Sequence, residues 1–263
     1  MIYASTDFQR LGYAHLNRMA LAGYSASAAE QAGIMTLVHG LAKIGISKFT
    51  AVYPFVGESA VPHAFDLMGN YDITWSGGLT HNAQGVTGNG STGYGDTGFD
   101  CGGMSETDAH LACYTEGGTA GTRVTIGAGS AAAGTGLTCI GLIDGGSKQA
   151  GCIGGVNDPA PDDYAPTDAQ GDASRDHFHC IDVTTAQLQQ YYREGVAHQD
   201  PVTARGTNQT NNVFILARDN AGASLYDNVT VKFAAIGLHL TAAEYVLYNT
   251  AVLGLQQALL REN

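Results

Sequence analysis

The 263-residue chain carries 24 acidic and 12 basic side chains, a net charge of −12 at pH 7, and only 14% of its residues are charged while 36 are glycine. This charge excludes nucleic acid and anionic membranes as expected partners, because phosphate groups require a cationic protein surface. Abundant glycine with little charge is typical of a β-protein with many tight turns, and the length favours one large domain.

Targeting segments are not expected either. The sequence contains no run of about 18 apolar residues that would predict a transmembrane helix. The first twenty residues lack the continuous apolar segment of a secretory signal. We therefore expect the chain to fold in a cytoplasm.

The chain opens with a polar and aromatic segment that has no clear period. We interpret residues 1–23 as an N-terminal arm that docks to a partner, and residues 24–263 as one folded domain. The expected docking anchors of the arm are Tyr3, Phe8, Leu11 and Tyr13.

A helix is predicted over residues 27–44. Ser27 and Glu30 have the spacing of a capping box, in which a hydroxyl and a carboxylate accept the unpaired N–H groups of the first turn. From Ile34 to Ile44 the apolar residues recur at spacings of three and four, which places them on one face. Gly45 is suited to the C-terminal end of the helix.

Short β-strands at regular intervals follow, as in a β-sandwich. The residue types predict strands over residues 49–55, 71–75, 86–87, 93–99, 109–115, 123–127, 137–142, 150–154, 177–184 and 188–196, the last ending in a turn at 193–195. The segment 88–90 predicts a β-turn rather than a phosphate-binding loop, because neither a Lys-Ser/Thr pair nor a helix follows it.

The last fifty residues combine strands and a capped helix. Apolar runs at residues 213–217 and 229–236 predict two strands. Thr241 and Glu244 form a second capping box, across which Leu240 and Tyr245 can pack as a hydrophobic staple. The apolar stripe of the helix consists of Tyr245, Tyr248, Val252, Leu255 and Leu259.

This terminal block resembles the C-terminal module of many phage structural proteins, a family with a concanavalin A-like (LamG-like) jelly-roll sandwich. In that family a strand with an L-A-R-N/D-N-like sequence leads through an A-x-I-G step to an L-T-x-x-E helix start and a final L-x-R. The corresponding segments here are residues 216–220, 235–237, 240–244 and 259–261.

Earlier segments add to the resemblance. Residues 88–99 are similar to the family's strand G-N-G-S-x-x-Y-x-D-T-G-F, and residues 191–196 to its Y-x-N-G hairpin, with Glu194 in place of the asparagine. The first helix and the strand at 51–55 resemble the family's opening. The resemblance, over residues 24–261, implies a mainly β concanavalin A-like jelly-roll β-sandwich with one N-terminal and one C-terminal helix. It does not define a role, because one fold serves many functions.

Patterns for catalysis are weak. Glycosidases need carboxylates placed around the scissile bond, and the nearest match, Glu106 and Asp108, lacks a further carboxylate because Leu111 stands at that position. His177 and His179 share one face of a predicted strand and could begin a metal site, but no acidic ligand follows them. We therefore expect no catalytic residue and no enzyme activity.

One acidic loop, residues 157–172, could bind a cation. Its five aspartates could offer oxygen ligands to Ca²⁺: Asp158, Asp162, Asp163, Asp168 and Asp172. Their spacing is not that of an EF-hand loop, so a solvated acidic loop is the alternative. We expect no cofactor, and Ca²⁺ stays open as an alternative.

The five cysteines match no zinc-binding spacing: Cys101, Cys113, Cys139, Cys152 and Cys180. Because their number is odd, at least one cannot pair within the chain. Reduced, partly buried thiols are one interpretation, and disulfide cross-links between subunits are the other.

The residues and the resemblance together predict a non-enzymatic bacteriophage virion structural protein. We expect a surface-displayed decoration, collar or short-fibre component, assembled in the host cytoplasm, that contacts other virion proteins of the capsid, neck or tail and forms a homo-oligomer. One alternative is a carbohydrate-binding receptor-recognition module of the tail that binds a host surface glycan. Another is a glycoside hydrolase on the same fold. Recognition is expected at the arm or in the loops near 100–120 and 157–175, because the terminal block is interpreted as scaffold.

Overall fold

The computed structural model describes residues 7–105, 107–119, 123–129, 136–143, 148–156, 176–184, 189–202 and 210–261. Within these ranges the helices are α1 (Asp7–Leu21), α2 (Ala28–Ile44), α3 (Ala60–His63) and α4 (Ala242–Ala258). The strands are β1 (Phe49–Tyr53), β2 (Thr74–Ser76), β3 (Thr80–Asn82), β4 (Gly85–Thr87), β5 (Tyr94–Asp100), β6 (Ala109–Glu116), β7 (Arg123–Gly129), β8 (Gly136–Ile143), β9 (Lys148–Val156), β10 (Phe178–Val183), β11 (Gln189–Arg193), β12 (Val196–Val202), β13 (Asn212–Ile215), β14 (Arg218–Asp219), β15 (Ala223–Ser224) and β16 (Thr230–Gly237). None of the helices described is long and apolar enough to cross a membrane.

The strands form two sheets. Sheet A has the order β12-β11-β10-β6-β16-β4-β3, and β1 also pairs with β16. Sheet B has the order β15-β14-β7-β13-β5-β2, with β8 on β7 and β9 on β8. Consecutive strands such as β5 and β6 lie in different sheets, and almost all pairs are antiparallel, as in a jelly roll. The predicted β-sandwich with a helix near each end is confirmed.

Alternating side chains along β6 separate two hydrophobic clusters. Leu111 and Cys113 belong to the core between the two sheets, whereas Ala112 and Tyr114 belong to a cluster on the other face of sheet A. Helices α2 and α4 pack against each other and contribute their apolar residues to this second cluster. The molecule therefore has three layers: the helices, sheet A and sheet B.

Both predicted capping boxes are confirmed. The Ser27 hydroxyl accepts the N–H of Glu30, and the Glu30 carboxylate accepts the N–H of Ser27, so α2 begins where the sequence predicts. Thr241 and Glu244 make the same reciprocal bonds at the start of α4. Lys48 donates to the Glu244 carboxylate at 2.6 Å, which joins the start of α4 to the segment before β1.

The N-terminal segment is not the irregular arm that the sequence suggested. Residues 7–21 form α1, which packs on α2 and buries His15 and Met19 completely. The ring of Phe8 stacks on His39 with 5.4 Å between centroids, and Leu11 packs against the helical cluster. One face of α1 therefore packs against the helical layer, while the domain boundary at residue 23 stays a prediction.

A buried carboxylate organises the loop between β1 and β2. The side chain of Asp66 is fully buried and accepts four backbone N–H groups at 2.8–3.2 Å. The donors are Val52, Met68, Asn70 and Tyr71. Because these bonds hold the chain in a loop up to residue 71, β2 is shorter than the strand predicted over 71–75.

Replacement of this carboxylate should be strongly destabilising. We expect Asp66→Ala to lower the free energy of unfolding by about 3–5 kcal/mol, because buried N–H groups would lose their acceptor. Urea denaturation followed by the fluorescence of Trp75, the single tryptophan, measures the loss. Asp100→Ala is the matched control, since Asp100 is exposed at the end of β5 and accepts one N–H group, from Gly102. Equal losses for the two variants would contradict the role given to Asp66.

Candidate functional site

A polar groove of about 280 Å³ lies beside the helical layer, where several strands of sheet A end near the C-terminus of α4. Its lining residues are Tyr114, Thr115, Glu116, Asp176, His177, Glu194, Lys232 and Arg261. Three of these side chains are carboxylates, one is an imidazole and two are cations. The groove therefore presents both acceptors and donors of hydrogen bonds.

A buried lysine forms the inner part of the polar groove. Lys232 lies in the apolar strand β16, and its ammonium group is placed 2.8 Å from a carboxylate oxygen of Glu116. The same group donates to the backbone carbonyl of Arg261 at 2.7 Å and lies 5.8 Å from the centre of the Tyr114 ring. A buried charge is tolerated only when it is paired in this way. These contacts fix Glu116 at the groove.

Arg261 closes the groove on the side of α4. Its guanidinium group donates to the backbone carbonyls of Ala83 at 2.6 Å and Phe55 at 2.7 Å. Burial lowers the pKa of Arg261 to about 10, so the side chain still carries its charge at neutral pH. Arg261 therefore holds the end of the chain in place through backbone contacts, while its charge remains beside the groove.

The outer rim comes from a tight hairpin turn. Glu194 and Gly195 connect β11 to β12 with φ angles of 50° and 78°, the left-handed pair of a type I′ turn, which confirms the turn predicted at 193–195. This turn places a carboxylate oxygen of Glu194 3.0 Å from Nδ1 of His177. Asp176 accepts the N–H of Gly117 at 2.5 Å. Each rim carboxylate is thus oriented by a specific contact.

The predicted pair of histidines does not act as a unit. The ring centroids of His177 and His179 are 6.1 Å apart on the same side of the strand, but His179 is buried and bonds through Nδ1 to the hydroxyl of Tyr191. Among the residues that the structure describes, no group of three or more His, Cys, Asp and Glu side chains could hold a metal ion. The five aspartates proposed as Ca²⁺ ligands, Asp158, Asp162, Asp163, Asp168 and Asp172, lie outside the described residues.

The burial of the cysteines favours one of the two interpretations given above. All five side chains are buried, as expected for reduced thiols within a folded domain. The disulfides between subunits stay a prediction for the five candidates: Cys101, Cys113, Cys139, Cys152 and Cys180.

The remaining residues singled out in the sequence either make structural contacts or lie outside the described residues. Asp108 accepts the N–H of His239 at 2.7 Å, while Glu106 and Tyr3 lie outside the described residues. The side-chain oxygen of Asn89 accepts three following N–H groups and so organises the loop between β4 and β5, while the β-turn predicted at 88–90 stays a prediction. Tyr13 is 62% exposed on α1, so its docking role stays a prediction.

The sequence interpretation missed the polar groove. The available signal was Lys232, a lone cation in the apolar run 229–236, since a buried lysine requires an acid nearby. Of the two segments named for recognition, 100–120 contributes Thr115 and Glu116 of β6 to the groove, whereas 157–175 lies outside the described residues.

No protein-family model and no curated protein matches the chain. Among solved structures, a Trypanosoma rangeli sialidase in complex with 2,3-difluorosialic acid matches with a TM-score of 0.57 and 14% identity, covering 95% of this chain and 38% of that one. The binding domain of botulinum neurotoxin serotype D matches with a TM-score of 0.54 and 10% identity, covering 78% of this chain and 52% of that one. The chain thus spans less than two thirds of either structure. At these identities the similarity shows a shared β-sandwich fold.

Proposed function

We propose that the protein is a non-catalytic carbohydrate-binding module that holds one ring of a neutral glycan in the polar groove. The observation that carries this proposal is the set of oriented polar side chains around a small cavity: Glu116, Asp176, His177 and Glu194. Small-ligand sites have volumes of roughly 300–1,000 Å³. The groove, at about 280 Å³, lies just below this range. It is therefore suited to one sugar ring rather than to a long chain.

The chemistry of the groove favours hydroxyl groups. Carboxylates accept hydrogen bonds from sugar hydroxyls, and such bonds to a charged group are stronger than neutral ones. The contacts that already hold these carboxylates reduce the ordering cost on binding. The same groups would repel an anionic sugar, because the ammonium of Lys232 is paired with Glu116 and the guanidinium of Arg261 is bonded to backbone carbonyls.

The fold supports the proposal in a general way. The sialidase and the neurotoxin binding domain are named for a sugar-directed activity and for binding, respectively. A similar β-sandwich therefore occurs in one protein named for an activity on a sugar and in one named as a binding domain. The choice of a neutral sugar comes from the charges in the groove and not from these similarities.

The proposal predicts a specific loss of binding at the rim. We expect the protein to bind neutral glycans on a glycan array. We expect Glu194→Gln to raise the dissociation constant of the best ligand by about 10- to 100-fold, because one charge-assisted hydrogen bond is worth about 1.5–3 kcal/mol. Isothermal titration with that glycan measures the change. Asp176→Asn is expected to act in the same direction.

A matched control distinguishes the loss of a carboxylate in the groove from the loss of one negative charge elsewhere on the protein. Glu58→Gln makes the same change at an exposed acid that does not line the groove, and its affinity is expected to equal that of the unchanged protein. Binding of sialylated glycans alone would overturn the choice of a neutral sugar. Equal affinities for the Glu194 and Glu58 variants, or no binding to any glycan, would overturn the proposed site.

A role as a virion surface component is the second candidate. Val196 and Val246 are 62% and 57% exposed, and the β11–β12 turn packs against α4 at Gly195, which brings these two side chains to one surface. Exposed apolar side chains that lie together suit contact with a neighbouring subunit. We expect labelled antibody against the protein to decorate purified phage particles, and the double variant V196D/V246D to be absent from them. Particles without label would contradict this role.

A further inference from the structure

Two cysteines face each other across the hairpin of β8 and β9. Cys139 and Cys152 are directly paired in the strand register, and their sulfur atoms are 3.8 Å apart. Directly opposite residues of antiparallel strands have Cβ atoms about 4.5–5.5 Å apart, close to the range that a disulfide spans. A small approach of the two strands would therefore bring the sulfur atoms to bonding distance.

The two thiols lie on the outer face of sheet B. The next residues along each strand, Ile140 and Ile153, belong to the core between the sheets, so the thiols point the other way. There they form a small cluster with Val124, against which Leu225 packs. Each cysteine is 4% exposed, so only a small reagent could reach it without displacement of the covering residues.

A cation beside the pair favours the thiolate of one member. The contact with Cys152 lowers the pKa of Cys139, burial opposes this effect, and the guanidinium of Arg218 lowers the pKa further. The contact with Cys139 and burial both raise the pKa of Cys152. Arg218 is itself buried, and its Nε has no hydrogen-bond partner among the described residues. An asymmetric pair of this kind has one attacking and one resolving sulfur.

We propose that Cys139 and Cys152 are a peroxide-sensitive dithiol that closes to an intramolecular disulfide between β8 and β9. The Cys139 thiolate attacks one oxygen of hydrogen peroxide, the O–O bond breaks, and the departing hydroxide takes a proton to become water. The sulfur of Cys152 then attacks the resulting sulfenic acid, forms the S–S bond and releases hydroxide, which takes the Cys152 proton. Two thiols lose two electrons, and one peroxide becomes two waters.

Mass spectrometry of the full chain tests this proposal. The folded protein is treated with a small excess of hydrogen peroxide, and its intact mass is measured before and after alkylation in denaturant. We expect a mass loss of about 2 Da before alkylation and alkylation of three of the five cysteines afterwards. We also expect a peptide linked through Cys139 and Cys152, and full reversal by a thiol reductant. Retention of all five alkylatable thiols, a link to Cys101, or a cross-linked dimer would overturn the proposal.

Single variants test the order of the two steps. Cys152→Ser is expected to leave a sulfenic acid on Cys139 that dimedone traps, whereas Cys139→Ser is expected to give no adduct on Cys152. Cys180→Ser, at a buried cysteine of sheet A, is the control and should still form the link. Equal dimedone labelling of the first two variants, with circular dichroism confirming that both are folded, would overturn the assignment of the attacking sulfur.

Discussion

Lowering the pH from 7 to 4 is expected to unfold the protein cooperatively. Three histidines, His15, His63 and His110, are buried in the folded chain. Burial lowers the pKa of His15 and His110 to about 4 and that of His63 to about 3, from an ordinary value of 6.5. All three are therefore neutral in the folded state at pH 5, where the unfolded chain would hold them protonated.

The direction of this effect follows from proton binding. Between pH 6.5 and about 4 the unfolded chain binds protons that the folded chain does not, so the stability present above pH 6.5 is lost as the pH falls. One pKa unit corresponds to about 1.4 kcal/mol. Protonation of the three histidines in the unfolded chain thus lowers the free energy of unfolding by on the order of 10 kcal/mol. This loss is comparable with the whole stability of a typical domain, about 5–15 kcal/mol.

Two buried acids act in the opposite direction, because burial raises the pKa of both Asp66 and Asp182. Burial raises the pKa of Asp182 to about 6, although His239, 2.6 Å away, partly offsets this effect. The stability from its protonated form is complete below pH 3.8 and is lost as the pH rises through 6. Acidification therefore raises the free energy of unfolding by about 3 kcal/mol through Asp182. The loss at the histidines is larger, so unfolding is the expected net result.

Circular dichroism and Trp75 fluorescence across a pH series measure the acid midpoint. His15→Leu is the informative variant, because the imidazole of His15 is fully buried and its contact with the backbone of Asp66 is a minor influence beside that burial. We expect its midpoint to fall by several tenths of a pH unit or more. His39→Leu, at an exposed position of α2, should leave the midpoint in place. A native spectrum at pH 4 would show that burial of the histidines does not determine the stability of the protein in acid.

Local signals explain which elements could be predicted from the sequence. The capping boxes at Ser27 and Thr241 and the turn at Glu194 depend on residues within a few positions of each other, so their geometry is present in the sequence itself. The strands of the sandwich were predictable for the same reason, because apolar and β-branched residues mark them locally.

The polar groove depends on contacts between distant segments. Glu116, Asp176, Glu194 and Lys232 meet only because β6 pairs with both β10 and β16 and because β11 pairs with β10. No spacing in the sequence encodes that order of strands. The thiol pair was hidden in the same way, because its register requires the pairing of β8 with β9.

Helix α1 was missed for a different reason. Its buried face runs through Phe8, Leu11, His15 and Met19, at spacings of three, four and four. That is helical periodicity, but a histidine occupies one of the four positions, and the stripe therefore looked interrupted. Once His15 is recognised as a neutral core residue, the same pattern predicts a helix.

Removal of α1 should reveal whether it belongs to the domain. Gly12 approaches α2 so closely that an added Cβ would lie 2.6 Å from the sulfur of Met35, and Met19 is fully buried. Deletion of residues 1–21 would expose this interface, and we expect a loss of about 5 kcal/mol in the free energy of unfolding, from one fully buried and several partly buried apolar side chains. Urea denaturation of the shortened chain measures it.

Point variants on α1 distinguish packing from docking. Met19→Ala should cost about 2–5 kcal/mol, because it leaves a cavity between α1 and the helical layer. Tyr13→Ala, on the exposed face of the same helix, should change stability by less than about 0.5 kcal/mol. If Tyr13→Ala also prevents attachment to a partner, one face of α1 packs against the domain and the other docks to the partner. The docking role predicted for the arm would then belong to the outer face of this helix. If the deletion and Met19→Ala both leave stability unchanged, the original boundary at residue 23 stands and the packing of α1 contributes nothing to the fold.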